Sequence, residues 1–193
     1  MSQVEASMLA AAECVPADEE RELIERAKRD QHAFALLYRR HYRMLSAHVY
    51  RRIGDVHATE DVVSDVFLAV LRALPRYRQR GVPLRFWLLR IATNAVNRWA
   101  RRQRRRWWRS VPNDELELAG AGGSSTASPI DAEHAQRALL SIAPKHQAVL
   151  SLHYLEGLSV RDVAVVIGCR EGTVKSRLAR ARDALRAALR QRR

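Results

Sequence analysis

Apolar residues along the first hundred positions recur at helical spacing. Leu37, His41, Leu45 and Val49 fall four apart, the drift of one helix face. Asp55, His57 and Thr59 interrupt that pattern, with Thr59 placed to cap the helix that follows. Val62, Val63, Val66, Phe67, Val70, Leu71 and Leu74 then repeat at helical spacing until Pro75 stops the run. A loop from Arg76 to Val82 precedes Pro83, which suits a first helical turn. Phe86, Trp87, Ile91, Val96 and Trp99 predict a long helix running into a cluster of arginines. No segment sustains the period-two alternation of a strand, despite the β-branched content. Further on, Ala135 to Ile142 and Lys145 to Leu155 read as two helices parted at Pro144, with Gly157 suited to a left-handed C-terminal position. Ser159 caps a helix from Val160 to Ile167, Gly168 ends it, and a final helix runs from about Glu171 to the C-terminus.

Between the two helical blocks lies Pro112 to Pro129, rich in glycine and serine (Gly120, Gly122, Gly123, Ser124, Ser125, Thr126, Ser128). Such a composition cannot bury enough apolar surface to fold. The expected fold is therefore all-α: two small helical domains joined by a flexible linker, the C-terminal one a four-helix domain with a helix-turn-helix. The boundaries read as a tail over 1–19, a domain over 20–108, a linker over 109–131 and a domain over 132–193.

Charge sharpens this outline. Among 193 residues, 34 Lys and Arg stand against 21 Asp and Glu, a net charge of +13 that points to a polyanionic partner, nucleic acid first. A hydrophobic fraction of 47% argues against disorder throughout. No run approaches the roughly 18 apolar residues of a membrane span, so membrane insertion is not expected. The alanine-rich N-terminus lacks the cationic start of a signal peptide, and Cys14 and Cys169 form neither a CxxC pair nor a disulfide framework. The chain reads as soluble and cytoplasmic. No metalloprotease motif, phosphate-cradling glycine loop or poised carboxylate pair marks it as an enzyme. His146, His153 and Cys169 fit no common metal spacing, so neither metal nor cofactor is expected.

Two segments carry chemistry. From Val160 to Leu178, Ala164 stands at a helix contact, Gly168 at a turn and Val174 at the pin of a second helix, with Val163, Ile167 and Leu178 completing the inner face. Lys175, Ser176, Ala179, Arg180 and Arg182 then face outward, placed for phosphates and guanine edges in a major groove. The blander alternative is an αα-hairpin with a solvated basic surface. Earlier, Arg98, Arg101, Arg102, Arg104, Arg105, Arg106 and Arg109 are interleaved with Trp99, Trp107 and Trp108, a mixture that suits a partly single-stranded nucleic acid. Glu60, Asp61 and Asp65 make an acidic edge suited to a protein partner or to solvent.

With these residues in view, the chain resembles the short, extracytoplasmic-function type of bacterial RNA polymerase sigma factor. The C-terminal likeness is Ser159-x-x-Asp162-Val163-Ala164, then Gly172-Thr173-Val174-Lys175-Ser176-Arg177-Leu178, Arg180-Ala181-Arg182 and Leu185. The N-terminal likeness is Thr59 to Phe67, followed by Trp87-Leu88 and Ile91-Ala92-Thr93-Asn94. The resemblance implies −35 recognition by Arg170, Thr173, Lys175, Ser176, Arg177, Ala179, Arg180 and Arg182. It implies −10 recognition and melting by Tyr77, Trp87, Arg90, Asn94, Arg98, Arg101 and Arg102, with Tyr77 and Asn94 lining a pocket for a flipped base. Asp61, Ser64 and Asp65 would meet the clamp helices of the largest subunit of core RNA polymerase, with the flap as a further contact. Promoter DNA and an anti-sigma factor complete the implied partners. Ser64 stands where that family usually has glutamine and Leu84 where it has an aromatic residue, and the loop Arg78 to Val82 lacks the usual acid. The rival reading is a stand-alone helix-turn-helix regulator. It would need a dimerisation face, and the closing Arg190-Gln191-Arg192-Arg193 brings no extended heptads.

Overall fold

The computed structural model describes residues 17–79, 81–110 and 129–190, with the side chains of 17, 106–110 and 129–132 outside that description. Residues 1–16 of the expected 1–19 tail and 111–128 of the expected linker, with its acidic Asp114, Glu115 and Glu117, lie outside the described residues. The same holds for the side chains of Trp107 and Trp108.

Helix α1 spans Ala17–Ala27 and carries Asp18, Glu19 and Glu20 in its first turn, where acids favour the positive end of a helix dipole. Helix α2 (Gln31–Ile53) starts at Asp30, whose carboxylate accepts from the His32 amide, and ends on Gly54 at φ 76°. Helix α3 (Val56–Ala73) corrects the sequence reading of its start. Its cap is Asp55, which accepts from the Ala58 amide at 2.7 Å, while Thr59 is buried inside the helix and its hydroxyl donates to the Asp55 carbonyl at 2.6 Å. A β-branched hydroxyl can satisfy itself on the preceding turn, so Thr59 is no break. A 3₁₀ turn at Leu74–Arg76, with Pro75 in its first positions, leads towards α4, Leu84–Ser110.

Helix α5 spans Pro129–Ser141, and α6 spans Pro144–Leu150 before widening into a π turn at Ser151–Leu155. Helix α7 (Val160–Ile167) is capped by Ser159 and ends on Gly168 at φ 75°; α8 runs Glu171–Arg190. Among the described residues every regular element is helical. Helical structure also reaches into segments read as tail and linker, since α1 begins at Ala17, α4 continues to Ser110 and α5 starts at Pro129.

In the N-terminal half, α1, α3 and α4 all pack on α2. Leu37, Leu45, Val49, Val66, Val70, Leu88 and Ala92 are fully shielded there. In the C-terminal half α8 packs on α5, α6 and α7 through Val174, Leu178 and Ala181. The halves do not stand apart. Helix α4 lies against α6 and α7, α2 against α5 and α6, and the buried apolar residues of both form one continuous cluster.

Candidate nucleic-acid interface

The helix-turn-helix is built from its caps inward. The Ser159 hydroxyl accepts from the Asp162 amide at 3.1 Å and donates to the Asp162 carboxylate at 2.6 Å, fixing the start of α7. Gly168 supplies the left-handed turn, and Val163, Ala164, Val174 and Leu178 are buried where the two helices meet. That fixes the outward face of α8. Arg170, Lys175, Ser176, Ala179, Arg180 and Arg182 are exposed, whereas Thr173 and Arg177 are half-buried. The Ser176 hydroxyl is engaged within its own helix, donating to the Thr173 carbonyl at 3.1 Å. Helix α6 extends this surface. Burial, then the charges of Lys145, Arg180 and Arg177, hold the His146 imidazole below its ordinary range, so these cations share one neighbourhood. Like charges gathered there favour a bound polyanion. The sequence reading missed Lys145 and His146, which no motif marks.

On α4, Trp87, Arg90, Asn94, Arg98 and Arg101 fall three and four apart, a single stripe along the helix. Arg90, Asn94, Arg98, Arg101 and Arg102 are exposed, and Trp87 is half-buried. Tyr77 packs its ring on Trp87, with centroids 4.5 Å apart. Burial, then the Glu20 charge, raises the Tyr77 phenol above its ordinary pKa, so it stays a neutral donor. Tyr77 lines a cleft of about 610 Å³ with Arg21, Glu25, Lys28, Arg76 and Arg78, a mainly basic rim to which α1 contributes and in which Glu25 pairs with Lys28. Asn94 is not among the residues lining that cleft, so the structure does not bring Tyr77 and Asn94 together in it. The acid missing from the loop before α4 arrives from elsewhere: Glu20 accepts from the Gln79 side-chain amide at 3.3 Å and from the Leu84 amide at 3.4 Å. Leu84, in place of an aromatic residue, is buried.

A third face lies on α3, where Asp61, Ser64 and Asp65 are exposed. Leu68 and Leu71 join them at 49% and 47% exposure, so Leu71 belongs to the surface and not to the core-facing run in which its spacing placed it. Apolar side chains left beside acids in this way fit a protein partner. Asp65 also meets Arg102 at 3.8 Å, which links this face to the basic end of α4.

Two basic surfaces, on α4 and on α8, and an acidic–apolar face on α3 fit a protein that meets both nucleic acid and a protein partner. Comparison with known proteins gives the family. Residues 37–106 match the sigma-70 region 2 family and residues 133–185 the sigma-70 region 4 family. The chain is 32% identical over 187 residues to the RNA polymerase sigma-H factor of Pseudomonas aeruginosa, covering 89% of this chain and 94% of that protein. It is 32% identical to the extracytoplasmic-function sigma factor SigM of Mycobacterium tuberculosis, over 81% of this chain and 76% of that one. Its fold is similar to that of the sigma factor RpoE solved with the anti-sigma factor NepR from Bartonella quintana, with TM-score 0.62 and 25% identity over 83% of this chain and 98% of that one. The chain belongs to the extracytoplasmic-function sigma factors of the sigma-70 family, transcription regulators rather than enzymes, and directs transcription initiation.

Proposed function

We propose that this sigma factor divides promoter recognition between its two helical units. The unit carrying α8 takes −35 duplex into contact with Lys175, Ser176, Ala179 and Arg180, while Arg170, Arg177 and Arg182 hold phosphates and Thr173 supports the reading face. The α4 stripe of Trp87, Arg90, Asn94, Arg98, Arg101 and Arg102, with Tyr77 at its start, holds the opened −10 strand by stacking and guanidinium contacts. The α3 face of Asp61, Ser64 and Asp65, extended by Leu68 and Leu71, binds the clamp helices of core polymerase, and the flap takes the α8 unit. An anti-sigma protein controls the chain, as the NepR complex of the similar RpoE supports. The observation that carries this reading is the pair of exposed basic surfaces, on α4 and on α8, lying within the two matched family regions.

Size-exclusion chromatography with sigma-free core polymerase tests it. One-to-one co-elution that survives heparin is expected. Failure to bind core, together with sequence-specific duplex binding by the free chain, would transfer the reading to a stand-alone regulator.

A further inference from the structure

The cleft beside Tyr77 has two walls, and one carboxylate ties them together. Helix α1 supplies one wall and the segment from Pro75 to Gln79 the other. Glu20, half-buried in the first turn of α1, reaches across with Oε2, which accepts from Gln79 Nε2 at 3.3 Å and from the Leu84 amide at 3.4 Å. Pro83 carries no N–H, so Leu84 offers the first amide of α4, and no carbonyl of that helix lies a turn before it. A carboxylate at this point satisfies the orphan donor and meets the positive end of the helix dipole. Caps of this kind usually come from the adjoining loop; here the cap stands 64 positions away in the chain. The Gln79 contact fixes more than a distance. A carboxylate only accepts, so it takes the –NH2 of the amide and sets which way the group faces. The opposite atom, Oε1, is then shielded from solvent and meets no donor among the described residues. A shielded acceptor without a donor is costly, so without Glu20 the amide gains by turning to water and taking its loop along. Tyr77 closes the preceding 3₁₀ turn on the Leu74 carbonyl at 3.0 Å and rests its ring on Trp87. The Glu20 charge helps burial to raise its phenol, which places acid and ring in one neighbourhood.

We propose that Glu20 is a positioning residue for base selection: by tying α1 to Gln79 and to the head of α4, it sets the width of the Tyr77 cleft and so decides which −10 base is admitted. The choice of base rests on the −10 assignment of Tyr77 and Trp87; the tie rests on geometry alone. A cleft with a wall free to swing accepts bases of either size, whereas one braced at a fixed width rejects those that do not fit. Glu20 touches no nucleotide in this role. Arg21, Lys28, Arg76 and Arg78 around the cleft attract a phosphate backbone whatever its sequence, so the brace governs choice and leaves attraction to them.

Two measurements on the full chain test it. Hydrogen exchange read by mass spectrometry on the free protein reports the tie. Transcription by the reconstituted holoenzyme from templates randomised across the −10 element reports the choice. Glu20→Ala is expected to speed exchange in peptides covering 76–84 and to leave those of α2 at parent rates. It is also expected to flatten the base preference at one −10 position several-fold, with the −35 preference and co-elution with core polymerase unchanged. A loss of structure alone lowers output from every template alike and leaves the preference as it was. Glu20→Gln keeps an accepting oxygen without the charge and should fall between the parent and Glu20→Ala. Unchanged exchange, or faster exchange with the preference intact at every −10 position, overturns the proposal. Should Glu20→Ala lose its helical circular dichroism, Glu20→Gln carries both readouts with the same expected directions. A parent with no preference anywhere in the element overturns the promoter reading and the choice built on it, while exchange still decides whether Glu20 braces the loop.

Discussion

Lys175 and Arg180 stand on the exposed face of α8, and Lys145 of α6 shares the surroundings of His146 with Arg180, yet the proposed reading asks different chemistry of them. A side chain that grips a base edge discriminates; one that meets a phosphate only attracts. Lys175→Ala or Arg180→Ala is expected to cost about 1–3 kcal/mol of holoenzyme binding on a matched promoter, and less where that base is changed. Lys145→Ala should weaken all promoters alike and flatten the salt dependence by about one unit in slope, measured by filter binding across a salt series. His41 gives a second residue-level expectation. Burial, then Arg40, lowers its imidazole to about 4 from the ordinary 6.5. Between those values the unfolded chain binds a proton that the folded ring refuses, so stability falls as pH drops through 6.5 towards 4. Urea denaturation at pH 7 and pH 5 should show that loss, and His41→Gln should reduce it. The outward residues of α8 were legible in the sequence because helical register alone sets exposure. The pairing of His48 with Glu156 was not, since nothing local ties residues 108 positions apart.

At the scale of elements, the same local logic succeeds and fails by how much backbone chemistry it can see. Ser159, Gly157 and Gly168 announced their turns because a cap and a left-handed residue are local requirements. The start of α3 was misread because aspartate and threonine both suit a cap, and only the folded chain shows which amide is met. The π turn after α6 left no sequence signal, and α1's contribution to the Tyr77 cleft depends on tertiary packing. Two glycines of the helix-turn-helix make the contrast quantitative. Gly168 sits at φ 75°, where any L side chain is strained, although a Cβ there would meet only Arg90 Nη2, at the ordinary contact distance of 3.5 Å. Gly168→Ala should therefore lose about 1–2 kcal/mol. Gly172 lies within α8 and a Cβ there meets nothing within 4 Å. Gly172→Ala should gain about 0.4–1 kcal/mol. Thermal unfolding of the two variants beside the parent checks both signs.

On the scale of the whole molecule, the charge of +13 and the glycine-rich break predict two basic units on a tether, while the structure joins them through a polar seam in which Glu156 meets His48 and Arg51, Arg52 meets Asn97 and the Pro144 carbonyl, and Arg90 meets the Val165 and Val166 carbonyls. Its residues fall three and four apart on α2 (His48, Arg51, Arg52) and on α4 (Arg90, Thr93, Asn97), but their partners Glu156, Pro144, Val165 and Val166 lie beyond the linker, so helical spacing could give the faces and not the pairing. Arg52 is the point at which this interface is least satisfied. Burial pulls its guanidinium down to about 10, still charged at neutral pH, and both of its protein hydrogen bonds come from one nitrogen. Methionine would fill much of the same volume with no charge to desolvate and no orphaned N–H. Asn97 is only half-buried, so its freed oxygen can turn to water. Arg52→Met is thus expected to leave the unfolding midpoint unchanged or raise it. Arg52→Ala should lower it by an amount matching about 2–5 kcal/mol, because it vacates the space as well. If Arg52→Met proves as damaging as Arg52→Ala, the guanidinium must be better bonded than its geometry indicates.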